Sequence, residues 1–128
     1  MINTKVISIG DEILIGQIVN TNSAFINEKL NCLGIKVKKV VTIGDIRQDL
    51  LDELQDSVVN DFKINLITGG LGPTHDDITK PILLEFFNDK LILDEKVLEK
   101  VKSIFAQRNV IMPETNIGQA LIPSQSKV

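Results

Sequence analysis

The segment Thr68-Gly69-Gly70-Leu71-Gly72-Pro73-Thr74 places three glycines within four residues, directly after the apolar run Ile64 to Ile67. Glycines let a backbone turn sharply and present its N–H groups with no Cβ in the way, which suits a phosphate or a carboxylate. A plain tight turn would use the same residues. Two common phosphate motifs are absent. No Gly-Lys-Ser/Thr ending follows, and Gly70-Leu71-Gly72 lacks the third glycine of a dinucleotide fingerprint.

Acidic residues surround this loop. Asp76 and Asp77 stand just downstream, and Asp45 opens a helical pattern at the same sheet edge. Carboxylates repel a phosphate unless a cation lies between them, so a hard divalent ion held by Asp45, Asp76 and Asp77 is the economical arrangement. Each aspartate could also cap a helix or a turn, and for Asp45 both roles are compatible. His75 is the only histidine and is expected as a solvated turn residue, since zinc would need soft ligands that the chain lacks. Glu12, between Gly10 and Gly16, is the remaining candidate carboxylate.

An alternation of strands and helices must position these groups. Val6-Ile7-Ser8-Ile9 reads as a buried strand that ends at Gly10. Thr21 or Asn22 can cap a helix with Phe25, Ile26, Leu30 and Leu33 on one face and Gly34 at its left-handed end. Ile35 to Thr42 reads as a second strand, and Lys36, Lys38 and Lys39 suggest a sheet edge. Asp45, paired with Gln48 in the manner of a capping box, starts a helix that turns Ile46, Leu50, Leu51, Leu54 and Val58 inward. After the third strand, Ile64 to Ile67, a third helix holds Pro81, Ile82, Leu83, Phe86 and Phe87. Asp94 caps a fourth, carrying Val97, Leu98, Val101, Ile104 and Phe105. Beyond Val110 only Ala120-Leu121-Ile122 resembles a strand.

This order predicts a single α/β domain over residues 1–128, with a parallel sheet covered by helices on both faces. Ligands in such sheets bind beyond the carboxyl ends of the strands. The loops Gly10–Gly16 and Thr68–Asp77 both leave such ends and are expected to share one cleft.

Composition excludes several functions. Aromatic residues make up 4% of the chain, with no Trp or Tyr, which argues against a base-stacking surface. A net charge of −3 offers no general attraction to nucleic acid or anionic lipid, so neither is an expected partner. The single cysteine, Cys32, excludes an internal disulfide and is expected half-buried on its helix. No apolar run reaches membrane-spanning length, and Met1 to Lys5 lead straight into a strand without signal-peptide features, so the expected location is the cytoplasm.

Gly10-Asp11-Glu12-Ile13-Leu14-Ile15-Gly16-Gln17-Ile18-Val19-Asn20-Thr21-Asn22 closely resembles the opening motif of the CinA family of competence/damage-inducible proteins. Thr68 to Thr74, with Asp76-Asp77 and Thr79-Lys80, resembles that family's second signature. Both motifs belong to an amino-terminal domain shared with the molybdopterin-binding MoaB and MogA proteins, and the resemblance runs from about Ile7 through Ile122. It implies a three-layer α/β sandwich with a mostly parallel sheet, and a pocket for a pterin phosphate or a related nucleotide. Further strands of the family domain, beyond the segment matched by Ala120 to Pro123, are expected to be missing. Ile117-Gly118 stands where relatives often place a basic residue.

For function, the resemblance implies metal-dependent hydrolysis of ADP-ribose to AMP and ribose 5-phosphate, with Mg²⁺, Mn²⁺ or Co²⁺ and with K⁺ alongside. Thr68, Gly69, Gly70, Leu71, Gly72 and Thr74 would bind the phosphate, together with Glu12 and Asn20. Asp77 and Asp45 match functional aspartates of the relatives and would be the catalytic pair. Molybdopterin binding in molybdenum cofactor synthesis is the alternative, and a non-catalytic shortened domain is a third reading. A homo-oligomer, dimer or trimer, is expected in each case.

Overall fold

In the computed structural model, which describes residues 2–128, the central strand is β1 (Thr4–Ile9), buried along its whole length. It pairs in parallel with β2 (Val37–Ile43) on one side and β3 (Ile64–Thr68) on the other, giving the order β2-β1-β3. Val6, Val40 and Leu66 lie in register on one face; Ile7, Val41 and Ile67 lie on the other. A strand buried on both faces must be apolar nearly throughout, which the run Val6-Ile7-Ser8-Ile9 satisfies. β2 forms an edge, as its lysines suggested.

Helices cover both faces, so the layers are those of an α/β sandwich. A short helix, α1 (Asp11–Leu14), follows β1 directly, and α2 (Thr21–Cys32) packs on β1 and β2. On the opposite face, α3 (Arg47–Val59) and α4 (Thr79–Phe86) build the core with Ile7, Ile9, Ile43, Leu50, Leu54 and Ile82. The chain then forms β4 (Leu91–Leu93), α5 (Glu95–Gln107), a 3-10 helix (Glu114–Ala120) and β5 (Leu121–Pro123), with β4 and β5 antiparallel. No helix among the described residues is long and apolar enough to cross a membrane.

Several local expectations differ from the structure. The cap of α2 is Asn20 rather than Thr21 or Asn22. Its side-chain oxygen accepts from the Ser23 amide at 3.2 Å, while its Nδ2 donates to Ser8 Oγ at 2.9 Å and Thr42 Oγ1 at 3.3 Å. Two strand ends therefore decide where this helix begins. Phe25, Leu33 and Cys32 are exposed, because α2 covers only the β1–β2 side of the sheet. Val58, Phe87 and Ile104 are exposed as well, and Ile46 is an extended residue ahead of α3 rather than part of its inner face. Gln48 bonds Asp52 on the same helix instead of closing a capping box. Asp94 caps α5 as expected, accepting from the Val97 amide at 2.9 Å.

A lysine that the sequence did not mark lies at the start of the sheet. Lys5 is fully buried, and its Nζ meets Asp56 at 2.7 Å, Glu53 at 2.5 Å, the Glu53 carbonyl at 2.7 Å and Ser57 Oγ at 3.2 Å. Lys39 joins the same two carboxylates from β2. A buried ammonium is tolerated only with this degree of pairing.

Candidate functional site

The glycine loop leaves β3 and is fixed from three sides. Gly69 has φ +91°, and a Cβ there would overlap the Ile9 carbonyl oxygen at the end of β1. Gly70 has φ +62°, and a Cβ there would collide with Thr79 Oγ1. Thr79 is buried at the start of α4, where its hydroxyl donates to the Gly69 carbonyl at 2.6 Å and its amide to the Gly70 carbonyl at 3.1 Å. Gly72 gives up its Cβ space to the Asp77 carboxylate. Positive φ and absent Cβ space are what only glycine supplies.

Asp77 clamps the far end of the loop. Its Oδ2 accepts from Thr74 Oγ1 at 2.7 Å and from the Thr74 amide at 3.1 Å, while the Asp77 amide donates to the Thr74 carbonyl at 3.1 Å. The Thr74 hydroxyl first, then its amide, holds the Asp77 carboxyl below the usual carboxylate range, and the Gly72 amide adds to this. Asp77 is therefore an anion at neutral pH. Among the described residues, the amides of Gly70 and Leu71 find no acceptor within the chain, so both remain able to donate to a ligand.

A cavity of about 460 Å³ opens beside the loop, between Gly72, Thr74 and Asp77 on one wall and Thr115 and Gly118 on the other. Lys80, the residue after Thr79, lines it, as does Leu71. Leu84 of α4 and Leu91 of β4 also line it. This volume suits a small ligand with one polar end.

The other predicted residues lie elsewhere around the strand ends. Asp45 does not cap α3. Its Oδ2 accepts from the Asp11 amide at 3.2 Å, and Asp11 Oδ1 accepts from the Asp45 amide at 3.1 Å, so the two aspartates staple the exits of β1 and β2 together. Asp45 follows β2 and the glycine loop follows β3, and these two strands lie two strand spacings apart, about 9–10 Å. Asp76 is exposed beside His75, 3.4 Å away. Glu12 folds back over Gly10, where a Cβ would lie 2.7 Å from its Oε1. Asn20 is committed to capping. Gly69 packs on Ile9 at the end of β1, and no residue of Gly10–Gly16 lines the 460 Å³ cavity, so the expected shared cleft is not formed there. Among the described residues, no three Asp, Glu, His or Cys side chains come together as a ready-made metal cage.

Thr79, Asp11 and Lys80 are structural participants to which sequence pattern assigns no role. The signal for Thr79 was its place in the first turn of α4, where a hydroxyl can reach back to the preceding loop.

The chain as a whole resembles known proteins. A family model described as "Probable molybdopterin binding domain" matches residues 5–127. The chain belongs to that family. Within it the similarity is to CinA-type members. A CinA-like protein of Flavobacterium psychrophilum is 46% identical over 126 residues, covering 96% of this chain and 29% of its own length. A CinA-like protein of Chloroherpeton thalassium is 43% identical, covering 97% of this chain and again 29% of its own. The chain therefore spans less than a third of these curated relatives. Among solved structures, the CinA protein of Thermoplasma acidophilum superposes with a TM-score of 0.81 at 29% identity, over 98% of this chain and 73% of that one. The tungsten-cofactor-synthesizing protein MoaB of Pyrococcus furiosus superposes with a TM-score of 0.62 at 20% identity, over 88% and 70%, a likeness of fold. The CinA-type domain thus has the MoaB-like α/β sandwich that its motifs implied.

Proposed function

We propose that this CinA-type domain binds the phosphate of a nucleotide or pterin on Thr68–Thr74 and hydrolyses the diphosphate of ADP-ribose, with a divalent metal, to AMP and ribose 5-phosphate. The observation that carries the reading is the loop itself. Its conformation is locked by Thr79 and Asp77, its Gly70 and Leu71 amides are uncommitted, and it opens on a cavity of about 460 Å³. Preorganised amides stabilise charge that develops on a phosphate without needing to reorganise.

The residues present fit a hard metal, though not as an all-protein cage. Mg²⁺ and its kin take one or two carboxylates and draw their remaining ligands from phosphate and water. Asp77 keeps Oδ1 outside the Thr74 clamp, and Asp45 keeps Oδ1 outside the Asp11 staple. Asp77, which lines the cavity, and Asp76 next to it in the chain would hold Mg²⁺, Mn²⁺ or Co²⁺ together with phosphate and water, and Asp45, outside that cavity, would act on the ion through a coordinated water. When bound, such an ion neutralises diphosphate charge and lowers the pKa of a coordinated water. In the balanced step, water adds to one phosphorus, the bridging P–O bond breaks, and the bridging oxygen departs on the other phosphate. K⁺ would add further charge compensation. Self-association as a dimer or trimer and a cytoplasmic location belong to the same proposal.

Family membership favours a second reading, molybdopterin binding in cofactor synthesis, because the same loop would serve a pterin phosphate. Ligands that bind only the native state raise its melting temperature by mass action. Thermal melts with ADP-ribose plus Mg²⁺ and with molybdopterin therefore separate the two. The primary reading expects the larger rise with ADP-ribose, and a rise with the pterin alone would transfer the assignment. A rise with neither, together with a broad transition, would leave the non-catalytic reading.

A further inference from the structure

Resting on the reading of the 460 Å³ cavity as a phosphate site, we propose that Lys80 binds the anion opposite the glycine loop and couples it to the order of the Glu114–Ala120 turn.

The cavity's lining includes one cation, Lys80, and one anion, Asp77. The chain is acidic, and Asp76 and Asp77 lie at the loop, so a phosphate entering here needs positive charge close by. Lys80 supplies it. Its Nζ donates to the Leu121 carbonyl at 2.7 Å and to the Gly118 carbonyl at 3.5 Å. An ammonium has three N–H groups, so one remains for a ligand, and the 3.5 Å bond is long enough to exchange cheaply.

Position makes this lysine a link between the two cavity walls. Thr79 and Lys80 are consecutive in the first turn of α4. The Thr79 hydroxyl holds the glycine loop, while the Lys80 ammonium holds the end of the 3-10 helix and the first residue of β5. An anion that engages Lys80 therefore acts on both walls at once. Ligand binding and the order of residues 114–121 then share one free energy.

Three variants with inorganic pyrophosphate as the probe, without metal, test this. K80Q keeps an N–H donor for the carbonyls but removes the charge; K80M removes both; K80R retains both. Affinity is read by calorimetry and amide exchange at 114–121 by mass spectrometry. Pyrophosphate is expected to slow exchange at 114–121 in the parent protein and in K80R. Both K80Q and K80M should bind it roughly tenfold or more weakly. Ligand-free K80M should exchange faster than the parent at 114–121, and ligand-free K80Q about as slowly as the parent. Equal affinity in K80Q, or slowed exchange on binding that persists in K80M, would overturn the proposal, as would pyrophosphate failing to bind the parent at all. Lysine-dependent pyrophosphate binding without ADP-ribose turnover would support the lysine's role and sink the hydrolase reading. Turnover in K80Q with unchanged KM would do the reverse.

Discussion

At Gly69 the loop admits no other residue. Its φ of +91° penalises any side chain, and the Ile9 carbonyl occupies the place a Cβ would take. That carbonyl belongs to the central strand and cannot swing aside. Gly69→Ala is therefore expected to cost at least about 2 kcal/mol, read as a lowered urea midpoint. Gly118→Ala is the contrast. A Cβ there meets open space, so the substitution should stay within about 0.5 kcal/mol of neutral or stabilise slightly. The glycine cluster was legible in the sequence because this residue type has few structural uses. What each glycine avoids was not legible, because Ile9, Thr79 and Asp77 reach it only through the fold. Asp45 makes the same point. Its type and place before a helix suggested a cap, whereas its partner is Asp11, 34 positions earlier.

Among the elements, those with local signals read well. Asp94 ahead of an amphipathic run gave α5 its start, and the lysines of β2 marked an edge. β4 and β5 are three-residue strands that exist by pairing with each other, so only half of that pair could be seen in the sequence. The network that ties β1, β2 and α3 was hidden for the same reason, since Lys5 meets partners some 50 positions away. It has a consequence for acid stability. The Lys5 ammonium first, then that of Lys39, lowers the Asp56 carboxyl to about 2. Its unfolded value is near 3.9, so the folded state binds the proton more weakly. The stabilisation is complete above about pH 4 and is lost as pH falls through about 2. The urea midpoint should fall across that window in the parent protein, and Asp56→Asn should flatten the fall. An unchanged slope in the variant would remove Asp56 from the account.

On the scale of the whole molecule, the sheet separates two tasks. Its amino-terminal end holds the lysine–carboxylate network, and its carboxyl end holds the glycine loop, the Asp11–Asp45 staple and the cavity. The α/β class and the position of the glycine loop followed from the strand–helix alternation. The cavity's second wall did not, because the 3-10 helix comes from a stretch with no periodic signal. In the proposed function, Thr68–Asp77 works on a diphosphate. Phosphorus NMR of ADP-ribose tests it most directly, with and without Mg²⁺, Mn²⁺ or Co²⁺ and with K⁺ present. Asp77→Ala, shown by its melting transition to be folded, serves as the control. Metal-dependent appearance of AMP and ribose 5-phosphate resonances is expected, absent in the variant. An unchanged ADP-ribose spectrum with every metal, or equal turnover by the folded variant, would contradict it.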